Sequence, residues 1–261
     1  GVDQMLQDET AQSFTFLTSE ACTHIRFIVS MITAEKIPSL PYRIELKPLL
    51  PEERREIING ILSDKHREIN NEVIELMLHR DAASSLLYLS LLVQRLLMMN
   101  YEDFQRIVSM GDGINAITAY QIGLLNECPD NLEDLSMHLL RQASVIIGGE
   151  TALKAAEMIA LSRRGLRFSD LHGLMKQKNL DWNELDTAAF IQYMGFMFIY
   201  RSDGRYDFSH NSIRIGLLRQ CRDANHKHSA IADWLYQLPI DDEVRKQEVL
   251  WHLIQSDQKE N

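Results

Sequence analysis

Cysteine is scarce: the 261 residues contain three, Cys22, Cys128 and Cys221. Their odd number, wide separation and lack of any CxxC pair exclude a disulfide framework and fit reduced thiols in a cytoplasmic protein. Basic charge is also short, 27 Lys and Arg against 37 Asp and Glu, a formal net charge of -10. A chain of that sign repels nucleic-acid backbones and anionic membrane surfaces, so neither is expected as a partner. The most apolar run, residues 86–99, is interrupted by Ser90, Gln94 and Arg95. It is too short for a bilayer and predicts a buried helix. No Gly-rich run leads into a Lys-Ser or Lys-Thr pair, so the chain carries no P-loop, and Gly111 and Gly113 predict a turn between helices. The chain opens on Gly1 rather than an initiator methionine and is expected to be part of a longer one.

What is present is a 45% hydrophobic chain, enough for two or three small subdomains. Residues 25–31, IRFIVSM, are continuously apolar and predict a strand buried on both faces, as in a parallel sheet. Residues 42–47, YRIELK, alternate and predict a second strand. Beyond Lys47 the period is helical. Pro51 with Glu52 and Glu53 marks a helix start, and the stripe Ile57, Ile58, Ile61 and Leu62 follows. Further helices are expected around Val73–Leu78, over 86–99 and over 114–125, and after Asp130, whose spacing to Glu133 resembles a capping box. Residues 151–162, 170–178 (capped by Ser169) and 182–194 predict three more. Apolar runs at 196–200 and 205–209 then flank Ser202-Asp203-Gly204, a strong hairpin signal. Three helices followed by a hairpin is the order of a winged helix. Residues 224–258 predict two more helices, similar to the start of a repeat array.

Few residues offer chemistry. Cys221, His226 and His228 have a spacing that suggests metal, but no second pair completes four ligands, so they are expected to be solvated and no metal is expected. SRRGLR, residues 162–167, is a small basic loop, either a solvated turn or a place where Arg163 and Arg164 meet an acidic partner. FSHNSIR, residues 208–214, puts His210 where a strand turns into a helix. An imidazole can donate to an anionic oxygen, and a helix start supplies free N–H groups beside it.

Taken in order, GVDQM at residues 1–5, the apolar strand, ELKPLLPEERREIINGIL at 45–62, the helical stretch and FSHNSIR resemble the STAND signalling NTPases, in particular the NACHT-like, nephrocystin-like branch. The resemblance implies a mainly α chain. It would comprise a remnant of a parallel α/β NTPase sheet (1–48), a helical lid bundle (49–148), a winged-helix domain (149–222) and a helical linker toward downstream repeats (223–261). It implies that Asp3 is the second acid of the Walker B strand, orienting the attacking water, and that His210 reaches the β-phosphate of ADP and holds the module closed. Leu86 stands where the family carries a proline beside the adenine, Met31 where many members carry an arginine, and Asn211 where the motif has an aspartate. Asn211 is still able to satisfy N–H groups at a cap. The resemblance further implies ATP or ADP with Mg in the full-length protein, none held tightly by this portion alone, and slow ATP hydrolysis by the parent. It also implies self-association of the full-length protein and protein partners bound through the repeats.

Two other functions stay open. Leu86 and Met31 fit a scaffold that has lost nucleotide binding, with Leu86, Leu87 and Leu89 as ordinary core and His210 as a helix-capping corner. A DNA-binding winged helix would need basic or amide groups on its third helix, but WNELDTAAFIQYM, residues 182–194, carries Glu184 and Asp186 and no Lys or Arg.

Overall fold

The computed structural model describes residues 44–111 and 113–257, and the chain divides into two units, Gly1–Lys47 and Pro48–Asn261. Asp3, Met31 and the expected strand at 25–31 lie outside the described residues. Of the expected strand at 42–47, the described part, 44–47, forms no strand, and Ile44 and Leu46 are exposed. Alternation marks a half-buried surface, but a strand also needs a ladder partner, and none is found among the described residues.

The second unit is mainly helical, with twelve α-helices and one two-stranded sheet among its described residues. Helix α1 (Pro51–Asp64) starts on its proline, and Glu53 turns back to accept the Leu50 N–H at 2.7 Å. Helix α2 (Asn71–Leu78) is capped by Asn70, whose side chain accepts the Glu72 N–H at 3.0 Å, and buries Val73, Ile74, Met77 and Leu78. After a 3₁₀ turn (Asp81–Ser84), α3 (Leu86–Leu97) runs through the core, burying Tyr88, Leu89, Leu91, Leu92, Val93 and Leu96. Arg80 ties this half together. Its guanidinium donates to the carbonyls of Cys128 (2.9 Å) and Leu125 and to Asp130, while the Tyr88 hydroxyl donates to the Pro129 carbonyl at 2.8 Å.

Helix α4 (Tyr101–Met110) has no counterpart in the sequence reading. It buries only Ile107 and is held by its cap, in which Asn100 accepts from Glu102 and Asp103 while Asp103 accepts the Asn100 N–H. Gly111 and Gly113 separate it from α5 (Ile114–Asn126), as the expected turn requires. Helix α6 (Leu132–Ile147) begins one residue later than Asp130–Glu133 suggests, because Asn131 is the cap and accepts the Asp134 N–H at 2.8 Å.

Helix α6 is the central element: α3 packs on it, and so do α7 (Glu150–Leu161), α9 (Glu184–Met194) and α10 (Asn211–Gln220). Helix α8 (Phe168–Gln177) starts before the expected cap. Ser169 lies inside it, and Asp170 reaches back to the N–H and guanidinium of Arg167. Strands β1 (Phe198–Tyr200) and β2 (Tyr206–Phe208) pair antiparallel, Phe198 facing Phe208 and Tyr200 facing Tyr206. The hairpin turns at the expected Asp203-Gly204, with Gly204 at φ +82°. Leu166 bridges Tyr206 on the far side through bonds of 2.9 and 3.1 Å. A row of aromatic rings, Trp182 edge-on to Phe190 and then Phe198 and Phe208 tilted against each other, fastens the hairpin to α9, with centroids 4.6–5.6 Å apart along the row.

The tail forms α11 (Ala224–Gln237) and α12 (Glu243–Asp257), packed against each other, with α11 seated on α7 and α8. The seat is close: a Cβ at Gly173 of α8 would overlap the ring of Trp234 on α11. Gly173→Ala is therefore expected to cost about 1–3 kcal/mol through overpacking, read as a lowered urea midpoint with an unchanged m-value.

Candidate functional site

The corner between β2 and α10 is held by its own sequence. Phe208 is buried in the aromatic row. The backbone N–H and hydroxyl of Ser209 both donate to the Met197 carbonyl, at 2.8 and 3.1 Å. Ile213 is buried in the first turn of α10, and its N–H and that of Arg214 bond the His210 carbonyl. Arg214 then reaches back to the carboxylate of Asp207 and to the carbonyls of Ala160 (3.3 Å) and Ser162 at the end of α7. Asp207, only 4% exposed, also accepts from Arg201 at 2.5 Å and from the Phe208 N–H at 2.8 Å.

Every residue of this stretch that holds the corner is thus spoken for, and His210 and Asn211 are left on the surface. His210 is the N-cap residue of α10, yet its side chain makes no cap bond and no hydrogen bond to another described residue. The expectation that His210 or Asn211 caps the helix by side chain is corrected. Asn211 is already the first helical residue, one position too late to cap. The imidazole is presented on a rigid turn.

Leu86 is the first residue of α3 and is 55% exposed, so its expected place in the core is corrected. Leu87 is partly buried and Leu89 is the fully buried one, because the buried face of α3 begins one turn further in. Leu86 and His210 stand at the starts of different helices, both packed on α6.

Behind the hairpin lies a second polar cluster that no motif announced. Arg205, 2% exposed, donates to Asp203, to Gln247 (2.9 Å) and to Glu248 (3.4 Å). Glu248 is fully buried on α12 and accepts the backbone N–H of Arg163 at 2.8 Å. Glu248 thus meets the SRRGLR loop through backbone, Arg167 at its end pairs with Asp170 and Asp242, and Arg163 and Arg164 are exposed. Burial raises the Glu248 carboxyl, opposed by the Arg163 N–H and the Arg205 charge. One turn on, His252 shares an Nδ1–Nδ1 hydrogen bond of 2.8 Å with His228. Burial and the neighbouring imidazole push His252 down to about 3, and burial lowers His228. The expectation that His228 is solvated is corrected: it is 7% exposed, on the buried stripe of α11 with Ile231, Ala232 and Leu235. His226 is exposed, and Cys221 receives a hydrogen bond from Lys227.

Among the described residues no group of three or more His, Cys, Asp or Glu could hold a metal ion, and no helix is long and apolar enough to cross a membrane. Cys128 and Cys221 are free thiols, and burial pushes Cys128 up to about 11. No protein-family model, curated protein or solved structure matches the chain.

Proposed function

We propose that the chain is the later part of a STAND-class, NACHT-like nucleotide switch, in which a helical lid and a winged helix close over ADP and open when ATP replaces it. In this reading α1–α6 are the lid. Residues 149–222, helices α7–α10 with the β1–β2 hairpin, are the winged helix, and Leu166 bridges Tyr206 beside the hairpin. The observation that carries the reading is the corner itself. Asp207, Ser209, Ile213 and Arg214 fix it, and the one imidazole on it is left outward at the start of a helix without a side-chain cap. A helix start with free N–H groups and an adjacent imidazole suits a phosphate oxygen.

ADP bound there and to the upstream NTPase sheet would bias a two-state element toward its closed arrangement. Asp3 would then orient the attacking water, and Leu86 would lie at the adenine end. Mg, slow hydrolysis by the parent, self-association and partners bound through downstream repeats follow from the same reading. The exposed Leu250, Leu253 and Ile254 on α12 offer the surface on which such a repeat would stack.

The test is a chain extended upstream through the NTPase sheet, purified without added nucleotide and denatured to release what it carries. ADP is expected from the parent chain and is expected to be lost in His210→Ala. That substitution touches an exposed side chain and should change stability by no more than about 0.5 kcal/mol. Absence of nucleotide from both would favour the scaffold reading. Robust ATPase activity in residues 1–261 alone would contradict the proposal.

A further inference from the structure

Arg95 lies on the buried helix α3 and is 6% exposed. Every other buried guanidinium described above has a carboxylate or carbonyl partner. Arg95 has none among the described residues, and its Nε is wholly buried without a hydrogen bond. A buried guanidinium nitrogen without a partner is costly, and an anion reaching this side chain from the adjoining cavity would supply the missing pair.

Its surroundings deepen the imbalance. His138 on α6 has a buried Nε2 with no partner, and its pKa is lowered by burial and then by the Arg95 charge. The nearest acids are engaged elsewhere or stand at the rim. Asp103 accepts from the Tyr120 hydroxyl at 2.5 Å and caps α4, while Glu102 and Glu127 are exposed and make no ion pair with Arg95.

Arg95 forms part of the wall of a cavity of about 330 Å³ between α3, α4, α5 and α6. That volume is at the small end of the range for ligand pockets, roughly 300–1,000 Å³. Met98 and Leu124 line it from the core, Val145 and Ile146 from the mouth, and Tyr120 and Gln142 add polar groups.

We propose that this cavity binds a small organic acid, its carboxylate paired with Arg95 and its apolar body against Met98, Leu124, Val145 and Ile146. A guanidinium fork matches one carboxylate through two parallel hydrogen bonds. Arg106, exposed, adds a second cation to the wall, but three carboxylates, Glu102, Asp103 and Glu127, line it too and would repel the further charge of a phosphate. The site is separate from the His210 corner and does not depend on the nucleotide reading.

Octanoate, octan-1-ol and inorganic phosphate are the probes, titrated calorimetrically into the 261-residue chain. Octanoate is expected to bind with one-to-one stoichiometry. Octan-1-ol should bind at least tenfold more weakly, and phosphate should give no saturable binding. Arg95→Met should abolish octanoate binding. Should that variant not fold, Val145→Glu decides: it places a carboxylate at the exposed mouth without touching the core, and is expected to weaken octanoate at least tenfold. Equal affinity for octanoate and octan-1-ol, or unchanged octanoate affinity in Val145→Glu, would overturn the proposal.

Discussion

Asp207→Ala is expected to destabilise the unit Pro48–Asn261 by about 3–5 kcal/mol, the cost of removing one partner of a buried charge cluster. The carboxylate is 4% exposed and serves Arg201, Arg214 and the Phe208 N–H together. Its loss leaves the Arg214 guanidinium, itself 16% exposed, with only the carbonyls of Ala160 and Ser162. Those carbonyls end α7, so the damage spreads from the hairpin to the helix packed beneath it. Asp207→Asn retains one acceptor oxygen but no charge and should fall between the parent and the alanine variant. Urea unfolding followed by far-UV circular dichroism reads the series. An alanine variant within about 1 kcal/mol of the parent would mean that the cluster is no stronger than a surface ion pair.

Much of this architecture was legible because it rests on period and punctuation. The stripes at Ile57–Leu62 and Val73–Leu78 and the long apolar run after Ser85 became helices α1 to α3. Asp203-Gly204 became the hairpin turn, since only a residue tolerant of positive φ suits Gly204. Helix α4 was missed although Tyr101, Phe104, Ile107 and Val108 recur at helical spacing and Asn100–Asp103 caps it; the stripe was legible, but only Ile107 of it is buried, so it marks no core face. Cap positions slipped by a residue or two where several capping residues stand side by side, as at Asp130-Asn131 and at Arg167–Asp170.

At the candidate site, His210 was visible as a histidine at a strand-to-helix corner. The groups that fix that corner, Asp207 and Arg214, were not, because ion pairing depends on which side chains the fold turns inward. The buried histidines did leave a signal. His228, Ile231, Ala232 and Leu235 are spaced as one helical stripe, and Val244, Glu248 and His252 repeat every four residues along α12. A polar residue falling in register with an apolar stripe is a candidate for burial with a partner, and here the two stripes face each other.

Those two histidines set the second large effect, a loss of stability in mild acid. His252 is held neutral in the fold, at about 3 against 6.5 unperturbed, and His228 is displaced in the same direction. A base whose folded pKa lies below its unfolded value contributes stability that is complete above the unfolded pKa. That contribution is lost as pH falls toward the folded one, because the unfolded chain takes up the proton first. The window is therefore pH 6.5 down to about 3 for His252. Its slope is about 1.4 kcal/mol per pH unit, or about 4–5 kcal/mol over the window. His228 steepens the slope, since burial lowers it in the same direction and the shared bond needs one Nδ1 to stay unprotonated as acceptor, so that the two rings cannot both be charged without breaking it. Glu248, 3.8 Å from His252, works the other way. Its carboxyl is raised by burial, so protonation below that raised value favours the fold and offsets part of the loss at the acid end. Because His252 is neutral near pH 7, its contact with Glu248 is no ion pair there and adds little of its own. Urea midpoints at pH 7, 6 and 5 should fall steadily for the parent chain and much less for His252→Gln, which keeps a neutral polar group on α12 but cannot take a proton. A parent midpoint that stays flat between pH 7 and pH 5 would show that the pair already opens to water in the folded state.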